Sequence, residues 1–154
     1  MLSQTAFRQI QALMGKYPQK RSALIPAMQL AQKEAGHLST ETVCEIARIF
    51  DLTPNEVNEV ASFYTMLYKK PVGKYVIQVC TNISCLLCDA ESIMEHLIKK
   101  LGIRPGETSA DKRFTLLEVE CLGSCGTSPV IQINEDYYED LTPEKLDRIL
   151  DSLE

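Results

Sequence analysis

Two cysteine pairs, Cys80-x4-Cys85 and Cys121-x3-Cys125, are the part of this chain best equipped for chemistry. Thiolates are soft metal ligands, and four of them at one place can hold a binuclear iron–sulfur cluster, two cysteines to each iron. A chain holding such a group would carry electrons rather than make or break bonds in a substrate. Four cysteines are equally the ligand set of a structural zinc ion, and separations of x4 and x3 admit both metals. Cys85-Leu86-Leu87-Cys88 offers a third reading. A C-x-x-C at a helix start, after a strand, lowers a thiol pKa for dithiol redox work, but it leaves Cys80, Cys121 and Cys125 without a role. Cys88 is expected in the first turn of a helix beside the pairs, with a substitute ligand as its alternative role. Cys44 falls in an apolar helical pattern and is expected to be buried as a small hydrophobe.

The elements around the pairs explain how they could meet. Tyr75 to Val79 is β-rich and runs into Cys80, and Phe114 to Val119 runs toward Cys121. Between them, about 89–101 reads as a helix, with Ile93, Leu97, Ile98 and Leu101 at helical spacing and Gly102 past the end. A strand–helix–strand crossover makes its two strands parallel neighbours, so their C-terminal ends lie side by side. Chain topology thus brings the pairs to one sheet edge despite 35 intervening residues. Gly123 and Gly126 let backbone amides turn toward sulfur, and the amides opening the helix near Asp89 add a favourable dipole. Such donors offset the negative charge of a thiolate-bound cluster.

The rest of the chain reads as support. Val130 to Ile133 and Tyr137-Tyr138 flank Asn134-Glu135-Asp136 as a hairpin, and Thr142-Pro143 opens a last helix. The acids between Asn134 and Asp140, Glu139 included, read as solvated turn residues. Residues 1–68 are helical in pattern: Ser22 is a candidate cap, Ser39 or Thr40 another, and Thr53-Pro54-Asn55-Glu56 is a capping box. The stripe Phe63, Tyr64 and 66–68 reads as core or a covered interface. Lys69 to Lys74 breaks the pattern around Pro71 and Gly73. The expected architecture is α+β: an N-terminal helical bundle over 1–70, then a thioredoxin-like mixed-sheet domain over 71–154.

Composition narrows the function further. At 154 residues, 45% hydrophobic and 24% charged, the chain is globular in type, with a net charge of −5. That acidity, with no tryptophan and no basic stripe interleaved with aromatics, excludes a nucleic-acid binder. No apolar run is long enough to span a bilayer, and the first residues lack a secretory core, so the six cysteines belong to a reducing compartment. His37 and His96 are not spaced as the ligand pair of a Rieske centre. No G-x-G-x-x-G and no P-loop occurs, so no nucleotide site is expected on this chain.

Several segments together carry a family resemblance. Val79 to Cys85, Glu120 to Gly126, 128–134, 101–108 and 137–141 resemble the thioredoxin-like [2Fe-2S] ferredoxin subunit of respiratory complex I (NADH:quinone oxidoreductase), and its mitochondrial flavoprotein-module counterpart. Tyr17-Pro18, 23–27 and Ser62-Phe63-Tyr64 are similar to that family's helical N-terminal region, which argues against a transit peptide. The resemblance implies one [2Fe-2S] cluster on Cys80, Cys85, Cys121 and Cys125, one pair per iron, with Gly123 and Gly126 around it and no catalytic residue on this chain. It implies a flavoprotein partner that holds FMN, the NADH site and a [4Fe-4S] cluster, and an adjacent iron–sulfur subunit. The host would be peripheral to the inner membrane on its cytoplasmic or matrix side, without membrane insertion of this chain. Similar subunits serve NAD-linked formate dehydrogenases and hydrogenases, the alternative hosts. Cys88 departs from the family, which often has a basic residue there; losing that cation implies a lower potential.

Overall fold

A computed structural model of the chain describes residues 2–153. Its contacts separate two compact units, Met1–Pro71 and Val72–Glu154.

Unit one is helical because its caps and apolar faces agree. Helix α1, Gln4–Met14, opens at Ser3, whose Oγ accepts the Ala6 amide at 3.1 Å. Helix α2, Leu24–Ala35, ends at Gly36 in the left-handed region (φ 78°), which costs glycine little. Ser22 does not cap it. The chain enters α2 through a 3-10 turn, Lys20–Ala23, so Ser22 lies inside helical backbone rather than before it. Helix α3, Thr40–Phe50, is capped by Ser39, and α4, Pro54–Phe63, carries the full capping box between Thr53 and Glu56. The apolar faces close on Ile10, Met28, Ile46 and Val57, all fully buried. Of the aromatic stripe, Leu67 enters this core and Tyr64 packs against it, whereas Phe63 is 78% exposed because it is the last residue of α4 and points off its buried face. Cys44 is half-buried, on the flank of α3 rather than among its core positions Val43, Ile46 and Ala47.

Unit two is built on a four-stranded sheet of order β2-β1-β3-β4. Strand β1, Tyr75–Cys80, runs parallel to β2, Phe114–Val119, with Cys80 opposite Val119. Strand β3, Ile131–Ile133, pairs antiparallel with β1, and β4, Asp136–Tyr138, completes the hairpin. A short helix α5, Ile83–Leu87, follows β1; α6, Ala90–Leu101, makes the crossover; α7, Pro143–Ser152, ends the unit. The apolar sides of the sheet, α6 and α7 meet in one core around Ile77, Val79, Leu97, Leu116, Ile131 and Leu146. Burial on that scale stabilises each large side chain by about 1.5–3 kcal/mol relative to exposure. Gly73 is required by contact: a Cβ there would lie 2.8 Å from the Phe114 backbone, and its amide donates to Thr115 Oγ1 at 2.7 Å.

Candidate metal centre

The two cysteine loops leave the C-terminal ends of the two parallel strands, β1 and β2. Cys80 is the last residue of β1, with its amide donating to the Val130 carbonyl at 3.2 Å. Thr81 then turns the chain away: its amide and hydroxyl both donate to the Val119 carbonyl, at 3.0 and 3.2 Å. Asn82 caps α5 through its side chain, which accepts the Ile83 amide at 2.9 Å. One turn of α5 delivers Cys85 inward. Cys80 and Cys85 are each 2% exposed and share a small apolar cluster with Ala90 and Val130, against which Leu122 packs.

Hydrogen bonds around sulfur define what this place favours. The Cys80 thiol lies within hydrogen-bonding reach of Cys85 and of Cys121, so three of the four cysteines are linked across both loops. Burial pushes the Cys80 thiol up. The amides of Asn82 and Leu122 and the neighbouring thiols outweigh that penalty and leave it below its ordinary value. Burial also raises Cys85, and the nearby Cys80 adds to the rise against the opposing Ser128 hydroxyl and Val130 amide. The surroundings therefore favour proton loss at Cys80 over Cys85.

The second loop is more open. Cys121 and Cys125 are exposed. Gly123, at φ 79°, turns its amide onto Cys121 Sγ at 3.3 Å. Gly126 lies in a 3-10 turn, Cys125–Thr127, with open space where a Cβ would stand. Cys125 joins the others through Ser128, whose Oγ donates to the Cys125 carbonyl at 3.1 Å and lies 3.4 Å from Cys85 Sγ. The Ser128–Pro129 peptide is cis. Among the described residues no three His, Cys, Asp or Glu groups close as ligands of a single ion; the thiol contacts run pairwise instead.

Cys88 stands apart. It is exposed and terminates α5, with its amide donating to the Ser84 and Cys85 carbonyls; α6 begins only at Ala90, so Cys88 is not in its first turn. The reason is Asp89, whose left-handed backbone (φ 69°) separates the two helices. Sequence reasoning also missed Ser128, Asn82 and Leu122 as partners of sulfur. It missed Glu139, which is half-buried and whose carboxyl the Ser124 and Thr127 hydroxyls hold below the usual carboxylate range. An acidic run after a hairpin gives no sign that one of its members turns inward.

The donor set fits an anionic iron–sulfur group. It consists of thiols alone, with amide donors of Asn82, Leu122, Gly123 and Val130 aimed at sulfur from both loops. The pattern of the family described as thioredoxin-like [2Fe-2S] ferredoxin matches residues 10–154. The second of the NADH-quinone oxidoreductase E subunits of Rhizobium meliloti (strain 1021) is 44% identical over 148 residues, covering 96% of this chain and 88% of that protein. The NADH-quinone oxidoreductase E subunit of Rickettsia bellii (strain RML369-C) is 48% identical over 141 residues, 90% of this chain and 84% of that one. Among solved structures, a chain of an NAD+-reducing [NiFe]-hydrogenase in the H2-reduced state superposes with a TM-score of 0.74 at 24% identity, over 83% of this chain and 21% of that one. At that identity the likeness is one of fold, shared with about a fifth of the hydrogenase chain. Matched over nearly its whole length, the chain belongs to the thioredoxin-like [2Fe-2S] ferredoxin family.

Proposed function

We propose that this chain is the one-electron carrier subunit of the NADH-oxidising module of NADH:quinone oxidoreductase, with a [2Fe-2S] cluster on Cys80, Cys85, Cys121 and Cys125. The observation that carries the reading is the parallel pairing of β1 with β2, which sets Cys80 opposite Val119 and opens both cysteine loops side by side at one end of the sheet. The near full-length likeness to the Rhizobium and Rickettsia relatives supports the host. In this reading, residues 1–70 and 71–154 act as a helical domain and a cluster domain, in keeping with the two compact units.

When bound, the cluster supplies one-electron exchange. The protein's own residues supply its setting. Cys80 and Cys85 of one loop and Cys121 and Cys125 of the other would hold the iron as thiolates. The amides of Asn82, Leu122 and Gly123 direct positive ends of peptide dipoles at sulfur, which offsets the charge that an added electron brings. Ala90, Val130 and Leu122 exclude water from the Cys80 and Cys85 side. The partner in that exchange would be FMN on a flavoprotein subunit that also binds NADH, next to a further iron–sulfur subunit. No helix among the described residues is long and apolar enough to cross a membrane; in this reading the partner subunits would hold the chain at the membrane face.

The second reading is the equivalent subunit of an NAD-linked hydrogenase or formate dehydrogenase, favoured by the fold shared with the hydrogenase chain. Purification of the tagged chain with its native partners separates the two. NADH is expected to bleach the cluster absorption only when the flavoprotein subunit co-purifies, with a quinone analogue restoring it. Reduction by hydrogen or formate in the same complex would assign the alternative host. Failure of NADH to reduce the centre in an intact, flavin-loaded complex would overturn both.

A further inference from the structure

The loop carrying Cys121 and Cys125 has little regular structure, only a 3-10 turn of three residues. Loops hold ligands less accurately than helices or strands, and a metal site needs its ligands held to about half an ångström. The accuracy must come from elsewhere, and the segment 137–140 supplies it. Tyr137 Oη donates to the Leu122 carbonyl at 3.1 Å. The Asp140 amide donates to the Thr127 carbonyl at 2.7 Å. Between these, one carboxylate oxygen of Glu139 accepts the hydroxyls of both Ser124 and Thr127, the latter at 2.8 Å. The two hydroxyls are themselves 3.0 Å apart, so one oxygen gathers both ends of the turn around Cys125. The Glu139 backbone is anchored in turn: Lys145 Nζ, on α7, donates to its carbonyl at 2.6 Å.

Resting on the [2Fe-2S] reading, we propose that Glu139 is the positioning residue of the second cysteine loop, fixing it in ligand-ready form before iron and sulfide arrive. Charge-assisted hydrogen bonds are roughly twice as strong as neutral ones, so the ionised carboxylate is a better clamp than an amide. The same charge, one hydroxyl away from the Cys125 turn, opposes the arrival of an electron and lowers the reduction potential. An uncharged contact of the hairpin would order the loop without touching the potential.

Two substitutions in the full-length chain separate these effects. Glu139→Ala removes both acceptor and charge, whereas Glu139→Gln keeps an acceptor oxygen and removes the charge. Amide hydrogen exchange is measured on cluster-free protein, and the potential on protein reconstituted with iron and sulfide. In Glu139→Ala the amides of 123–127 are expected to exchange about tenfold faster or more, the loss of a clamp made of two charged hydrogen bonds. In Glu139→Gln, exchange returns most of the way to wild type while the potential still rises. Unchanged exchange in Glu139→Ala, or an unchanged potential in Glu139→Gln, would overturn the proposal. A wild-type chain that takes up no iron and sulfide would instead defeat the cluster reading, while the exchange arm still reports whether Glu139 orders the loop.

Discussion

Cys125→Ser is expected to lose the binuclear centre: bound iron falls at least tenfold, and the spin-half signal of the dithionite-reduced protein disappears. The magnitude follows from the thiolate's role. Disturbing even an outer-shell partner of a metal ligand typically costs about 10–100-fold in affinity, so deleting a ligand costs at least as much. The effect is large because Cys125 has no substitute nearby on its own loop, where Cys121 is already committed. Cys88→Ser is the matched control. Cys88 is exposed, ends α5 and lies outside the linked thiols, so its loss leaves iron and sulfide at wild-type levels. Iron uptake and electron paramagnetic resonance on both variants decide the point. A Cys88→Ser chain that loses its centre while Cys125→Ser keeps it would reassign the ligands.

Leu97→Ala carries the largest expected effect on stability. Leu97 is fully buried on α6, in the core that includes Ile77 and Val79 of the strand ending at Cys80. Removing three carbons from such a site costs about 2–5 kcal/mol, part transfer free energy and part cavity. For a unit of this size that lowers Tm by about 8 °C or more. Lys99→Ala, two residues along the same helix and exposed, is expected to change stability by no more than about 0.5 kcal/mol. Urea unfolding followed by circular dichroism checks both. Equal midpoints for the two variants would contradict the packing of α6 against β1.

The α+β order, the parallel pair β1–β2 and the hairpin were legible because they rest on strong local signals. Alternation, a capping box at Thr53 and Glu56 and glycine stops at Gly36 and Gly102 each reflect a backbone requirement that neighbouring residues reveal. The meeting of the cysteine loops was legible from topology alone, since a crossover leaves little choice of where strand ends lie. What escaped is set by contacts distant in sequence or elements too short to have a period. Helix α5 has five residues, fewer than two turns, so its start and the displacement of Cys88 from α6 left no pattern to read. Ser22 had the chemistry of a cap, but the preceding 3-10 turn took its backbone. Glu139 finds its partners 12 and 15 residues upstream, across a loop whose path the sequence does not reveal. Its neighbours Glu135, Asp136 and Asp140 are exposed, as expected for such a run, and nothing local distinguishes them from it.

The central claim is that two thiol pairs on neighbouring strand ends hold a binuclear cluster. It is tested most directly by iron and acid-labile sulfide content, with an electron paramagnetic resonance spectrum after dithionite reduction, on anaerobically purified protein. About two irons and two sulfides per chain, with a spin-half signal on reduction, is the expected result. One zinc per chain, without sulfide or a reducible chromophore, would contradict the claim and leave the four cysteines as a structural metal site.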